Sequence, residues 1–434
     1  MIRRPFLFVA ALTILATLAA PSAIAAPPTA VSLTITWHRD LGIGLASVAA
    51  GPSGSVYVAG EVANGSFQGK ALLAKLSASG AVLWQRRWVP SNKKNPNTHD
   101  FWFSARATSV AVADDGAIFV TGFVEKDNCE GGGWFIRKYS PSGTALASFG
   151  RFQKTKLQSC TLTPQYTSDI AARGNLVVVA GQDFGCCDDP ATDGWVRAFD
   201  AGLHPKWNTQ FEPPSSIPST WFDTADGVAI GNGGNVFVGG WAATQPPPTP
   251  TSSPNAYQGR GTVVLQELSP TGSVLWARRT DTTMFADSGR VAVAVGGGRI
   301  MVSAALGGFY VGWKTHMRTH AWLGSFTLDG APVWSRSWGL DRNHAAEPTD
   351  VAINGSGGTW VVGTQREKRD HGLVVSIRRF GSGGQDLGRR TVGGDFRRFL
   401  GGGVAARAGG AYVTGSANPL NGGGEVGRVW RISD

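Results

Sequence analysis

The chain has 434 residues, with 60 glycines, 23 prolines, 42% hydrophobic residues and a formal net charge of +10. That apolar share excludes a disordered chain, which could not bury enough surface to offset its conformational entropy. With turn signals throughout, the glycine excess reads as tight turns in an all-β fold. The basic balance suits acidic glycans or anionic envelope polymers. Lys and Arg are spread along the chain, with Lys93-Lys94 among the few local clusters, so nucleic acid is not an expected partner.

Residues 1–26 have the three parts of a secretory signal: Arg3 and Arg4, an apolar run from Phe6 to about Ala20, and Ala23-Ile24-Ala25-Ala26 for cleavage. Pro21 and Ser22 interrupt the run before the roughly 20 apolar residues of a span. Cleavage is expected, leaving a soluble chain outside the cytoplasm, extracellular or periplasmic, with no later membrane span. A short linker at 27–33 leads to a single domain over 34–434.

The domain repeats. Val48, Val110, Ile170, Val228, Val291, Val351 and Val404 recur at intervals of 53 to 63 residues, the signature of a repeat fold. In the first repeat Ser47 to Ala50, Ser55 to Gly60, Ala71 to Leu76 and Ala81 to Trp88 read as four antiparallel strands joined by turns such as Ser77 to Gly80, the content of one propeller blade. Seven repeats give a seven-bladed β-propeller of four-stranded blades. The seventh stops at its third strand, Val426 to Ile432, whereas Thr34 to Arg39 precedes the first repeat and carries Trp37-His38-Arg39. This matches the fourth-strand motifs Trp84-Gln85-Arg86, Trp276-Ala277-Arg278 and Trp334-Ser335-Arg336. The N-terminal strand is therefore expected to complete the last blade and close the ring, leaving no open edge, and the product is expected to be a monomer. Trp84, Trp134, Trp195, Trp276, Trp322 and Trp334 read as one recurring class of packing residues.

In an antiparallel meander the blade-to-blade links and the second-to-third links share one face. All the long segments fall there: 88–107, 124–133, 152–168, 182–194, 211–225, 241–260, 305–320, 339–349 and 364–371. Loops on a rigid scaffold are where binding and catalysis concentrate. Trp102, Trp221 and Trp313 with Lys93, Lys94 and Arg318 are the candidate contacts there, because aromatics backed by charge stack on sugars or anchor a protein partner. Trp241, His320, Asp223 and Glu347 are counted on the same loops, with Asp226 beside them as an acid that could work with the histidines. The histidine and acid spacings give no metal set. Cys129, Cys160, Cys186 and Cys187 belong to neighbouring long segments. Export makes at least one disulfide the default, with three pairings open.

The motifs Gly54-Ser55-Val56-Tyr57-Val58-Ala59-Gly60 and Leu76-Ser77-Ala78-Ser79-Gly80-Ala81-Val82-Leu83-Trp84 resemble the bacterial SBBP-type β-propeller repeats of exported proteins, over essentially all of 34–434. That resemblance implies fold and export and carries over no catalytic residue. The Gly-x-x-Leu-Trp fourth strand is also similar to quinoprotein dehydrogenase repeats, where an adjacent Cys pair lies near the quinone. Eight blades and an acidic docking motif are usual there; with seven blades and no such motif here, no cofactor is expected. The expectation is an exported binding or scaffold propeller that recognises a glycan or an envelope protein on the long-loop face. The alternative is an enzyme, a lyase, hydrolase or quinone-dependent oxidoreductase, with its site at the central opening.

Overall fold

The structure, a computed structural model, describes residues 30–41, 44–63, 69–89, 103–126, 132–152, 165–183, 193–212, 214, 223–244, 260–285, 290–307, 319–339, 345–366, 373–393, 398–418 and 426–434. Seven four-stranded antiparallel blades follow one another around a ring. The inner strands of blades 1 to 7 are Gly44–Ala50, Phe103–Val112, Gln165–Arg173, Asp223–Ile230, Ala292–Gly296, Ala346–Ile353 and Arg398–Arg407. The outer strands of blades 1 to 6 are Val82–Trp88, Ala145–Phe152, Pro205–Gln210, Val274–Phe285, Pro332–Trp338 and Asp386–Val392. In blade 7 the outer position is held by Thr34–Asp40, which runs antiparallel to Val426–Ser433 with Thr34 opposite Ser433 and Arg39 opposite Val429.

Blades expose two faces to their neighbours, so their middle strands are apolar on both sides rather than alternating. Val236–Ala243 in blade 4 is buried at every residue. The core is accordingly split into seven hydrophobic layers, one at each interface between successive blades, including the layer of Leu45, Val48, Val58 and Leu72 against Tyr412 and Val429 between blades 1 and 7. Every anchor valine or isoleucine is buried in this system. The register corrects one of them: in blade 5 the position opposite the second strand is held by Val293, facing Val302, rather than by Val291.

The tryptophans form two classes, not one. Trp134, Trp195 and Trp322 lie on third strands and are buried, whereas Trp37, Trp84, Trp276 and Trp334 lie half-buried on outer strands. Three of the outer class clamp the next blade through their indole N–H. The indole N–H of Trp37, Trp84 and Trp334 donates to the carbonyls of Ala78, Pro141 and Ser382 at 2.9, 3.2 and 3.0 Å. Two residues on, Arg39, Arg86 and Arg336 donate from Nε to the carbonyls of Gly80, Gly143 and Gly384. The Trp-x-Arg motif is thus a staple onto the third-to-outer turn of the neighbouring blade. Among the described residues no helix is long and apolar enough to cross a membrane.

Candidate functional site

Six of the seven inner strands carry a register break, between Leu45 and Ser47, Ala107 and Ser109, Thr167 and Asp169, Ala225 and Gly227, Pro348 and Asp350, and Gly401 and Val404. A bulge inserts an unpaired residue and turns its side chain out of the ladder. Here it turns toward the axis: Ala46, Thr108, Ser168, Asp226, Thr349 and Gly402 all line one cavity of about 440 Å³. The break is seated on a glycine of the second strand, because a Cβ at Gly60, Gly122, Gly181, Gly240 or Gly363 would fall onto the carbonyl oxygen of the inner-strand residue just before the one opposite.

All seven inner strands contribute to this cavity, through the halves next to the preceding blade-to-blade link. It therefore opens on the face where the long links are rooted. Residues at or near the bulges stitch the blades together around it. Ser47 Oγ accepts from the Val110 amide, and Ser109 Oγ donates to Asp169 Oδ1 at 2.7 Å. Asp169 Oδ2 accepts from Val228 N at 3.0 Å, Asp226 Oδ2 from Val291 N at 3.3 Å and Asp350 Oδ2 from Val404 N at 2.7 Å. Ser416 Oγ accepts from Leu45 N at 2.7 Å between blades 7 and 1. The belt makes the cavity wall part of the ring's own hydrogen bonding.

Three carboxyls, Asp169, Asp226 and Asp350, thus face one guanidinium, the exposed Arg290, at the axis. Among the described residues Arg290 has no hydrogen-bond partner, and it acts on the three carboxyls through space. At the mouth Arg106 pairs with Glu61, Nε to Oε2 at 2.6 Å, and lies over the Phe123 ring. Desolvation pushes Asp226 up to about 6, against the Val291 amide and Arg290. Asp350 is pushed up to about 7 by desolvation and by Asp169, although the Val404 amide pulls it down. Asp169 is raised by desolvation despite its three donors. Outside the cavity, Asp223 is buried, accepts from Gly194 N and is pushed up to about 7, first by desolvation.

These shifts set a pH dependence. An unfolded aspartate titrates near 3.8, so between there and about 7 the folded chain holds protons that the unfolded chain has lost. Stability is therefore greatest on the acid side of this window and is lost as pH rises through about 6 to 7. Thermal unfolding is expected at a higher temperature at pH 5.5 than at pH 8, by on the order of 2 kcal/mol for Asp350. The depressed His320 works in the opposite direction and reduces the net change. Asp350→Asn should flatten the profile, which scanning calorimetry across pH 5 to 8 checks.

Lys93, Lys94, Trp102, Trp221, Trp313, Arg318 and the four cysteines Cys129, Cys160, Cys186 and Cys187 lie outside the described residues. Five residues assigned to those loops or beside them lie on strands. Trp241 is buried on the second strand of blade 4, Asp223 and Asp226 are on its inner strand, and Glu347 is on the inner strand of blade 6. His320 opens the third strand of blade 5, Leu306 opposite it. Among the described residues no three His, Cys, Asp or Glu side chains come together to hold a metal ion.

No protein-family model matches the chain, and no curated protein matches it. Solved structures do. The polysaccharide lyase Uly1 is similar with a TM-score of 0.50 and 9% identity, over 89% of each chain. The β-propeller domain of the trilobed protease from Pyrococcus furiosus gives 0.45 and 9%, over 89% of this chain and 95% of that one. Trypanosoma rangeli sialidase gives 0.46 and 10%, over 82% of this chain and 56% of the other. At such identities the likeness is one of propeller fold, and the SBBP-type resemblance rests on the repeat motifs alone.

Proposed function

We propose that this propeller binds a glycan by seating a sugar residue in the axial cavity on the long-link face. The observation that carries the reading is the wall of that cavity. Arg290 and Arg106 are donors, Asp169, Asp226, Asp350 and Glu61 are acceptors, and Thr108, Ser109, Ser168 and Thr349 offer hydroxyls. A polyhydroxylated ring needs donors and acceptors converging from several sides. About 440 Å³ lies within the roughly 300 to 1,000 Å³ of small-molecule sites. The fold is one that a polysaccharide lyase also uses, which is compatible with this reading without deciding it. Lys93, Lys94, Trp102, Trp221, Trp313 and Arg318 belong to links rooted at the same face and are proposed as outer contacts, with a cell-envelope glycan or glycan-bearing protein as the partner of an exported chain.

The expected result is micromolar to millimolar binding of at least one member of a panel of neutral and acidic oligosaccharides, weakened about 10-fold or more by Arg290→Ala, the loss of one charge-assisted hydrogen bond. Titration calorimetry reads it. Binding unchanged by Arg290→Ala, or no binding across the panel, would sink the proposal. One observation favours a second reading, an enzyme at the same place: Asp226 and Asp350 are carboxyls whose protons persist to about 6 and about 7, as a general acid requires near neutrality. Cleavage of the bound oligosaccharide, lost in Asp350→Asn, would make the site catalytic.

A further inference from the structure

We propose that the outer rim of blades 4, 5, 6, 7 and 1 is a second binding surface, a rail of arginines that takes a linear acidic polysaccharide. Sheet register places one arginine at the same height on each of these five consecutive blades. Arg278 faces Leu265, Arg336 faces Leu323, Arg390 faces Ile377, Arg39 faces Val429 and Arg86 faces Leu73. Leu265, Leu323, Ile377 and Leu73 lie three residues before the end of their third strands, and Val429 four before the end of its own. Blades 2 and 3 carry Phe149 and Thr209 at that height, opposite Ile136 and Val196. The row is flanked by the exposed Arg87, Arg279 and Arg389. Of the acids on the same outer strands, Asp40 and Asp386 are already tied to Arg428 and Arg378.

The clamp onto the next blade does not require this charge. Thr209 makes the equivalent bond in blade 3, its hydroxyl donating to the Gly272 carbonyl at 2.7 Å. A neutral donor therefore suffices, and the positive charge of Arg39, Arg86, Arg278 and Arg336 is surplus to the staple. These guanidinium groups are also held in place. Arg86, Arg278 and Arg336 lie over the rings of Trp84, Trp276 and Trp334 and bond to carbonyls, not to carboxylates. Little side-chain entropy then remains to be lost when an anion docks. Charges on exposed edge strands also discourage edge-to-edge pairing, but that role needs no common height.

The partner chemistry follows from what the rail lacks. One face of the indoles of Trp37, Trp84, Trp276 and Trp334 is covered by Gly80, Gly143, Gly330 or Gly384 of the next blade, and Arg86, Arg278 and Arg336 lie over the rings of Trp84, Trp276 and Trp334, so among the described residues these tryptophans are poor platforms for bases. Duplex DNA, with a persistence length of about 500 Å, is too stiff to follow a rail that turns through more than half of a small ring. A flexible chain with repeated carboxylates or sulfates can follow it, gaining by avidity at successive blades.

The test uses fluorescent polygalacturonate and dextran sulfate, with a short DNA duplex as competitor. They are titrated into the unaltered protein, into Arg86→Thr/Arg278→Thr/Arg336→Thr, and into the corresponding triple Lys variant. Threonine keeps a staple donor, as in blade 3. A loss of about 10-fold or more at low salt is expected for the threonine variant, with a shallower dependence of affinity on salt. The lysine variant should bind the polymer as the unaltered protein does. Unchanged affinity and salt slope in the threonine variant would overturn the rail, leaving the arginines as edge guards. Tighter binding of the duplex than of either polysaccharide would overturn the partner class. Should the threonine variant fail to fold, phenylglyoxal labelling of the unaltered protein decides: saturating polymer must protect Arg86, Arg278 and Arg336, and equal labelling with and without it would overturn the rail. Because Arg290 sits apart from the rim, failure here and failure of the cavity reading are read on different variants.

Discussion

A chain that starts at Leu41, and so lacks the strand Thr34–Asp40, is expected to lose cooperative folding. That strand supplies the ladder on Val426–Ser433, and its Asp40 is tied to Arg428, Nη2 to Oδ2 at 2.7 Å. It also reaches into the next blade. Trp37 donates to Ala78 and packs near Tyr412, and Arg39 donates to Gly80. Half a dozen backbone hydrogen bonds at about 1 kcal/mol each, with about 3 kcal/mol for a truncated tryptophan, come to on the order of 10 kcal/mol. Domains hold only about 5 to 15 kcal/mol in total. The bare edge of Val426–Ser433 would then template aggregation. Size-exclusion chromatography and chemical unfolding should show aggregated or non-cooperative protein, rescued in part by adding a peptide of residues 30–41. A monodisperse truncated chain with an unchanged unfolding midpoint would show that the ring closes without this strand.

Gly60→Ala is expected to cost about 3 to 5 kcal/mol, through backbone strain rather than lost contacts. The new methyl would meet the carbonyl oxygen and carbon of Gly44 and the Cα of Leu45, all of them backbone. No side chain can swing aside to relieve it. The bulge at Ala46 would have to shift, and with it Ser47, which holds the Val110 amide across the blade interface. Gly233→Ala is the matched control: nothing lies within 4 Å of its added Cβ, and a change within about 0.5 kcal/mol is expected. Denaturant midpoints of the two variants check both. Equal stabilities would mean that the bulge seat is not under steric control.

The fold was legible because a blade repeats its physical problem. Each anchor is apolar because it enters an inter-blade layer, and the amides of Val110, Val228 and Val404 each meet a side chain of the preceding blade. The Trp-x-Arg motif was visible for the same reason, although its purpose, capping the carbonyls of the next blade's turn, is a contact between repeats about 40 to 60 residues apart. The cavity was harder to see. Asp226 reads as a loop acid when the strand is begun at Gly227, because a bulge adds a residue that breaks the alternation from which strand limits are read. A signal was present in the glycine that recurs inside the second strands: Gly60, Gly122, Gly181, Gly240, Gly363 and Gly415. A repeated glycine inside a buried strand marks a close backbone approach. The rail at the rim depends on register, which no single repeat contains.

The most direct measurement is a structure of the protein with the oligosaccharide that binds it most tightly in the panel. The expected result is a sugar residue in the axial cavity, with hydrogen bonds to Arg290 and to at least one of Asp169, Asp226 and Asp350. A sugar bound only on the outer links or only along the rim, with the cavity unoccupied, would contradict the axial site.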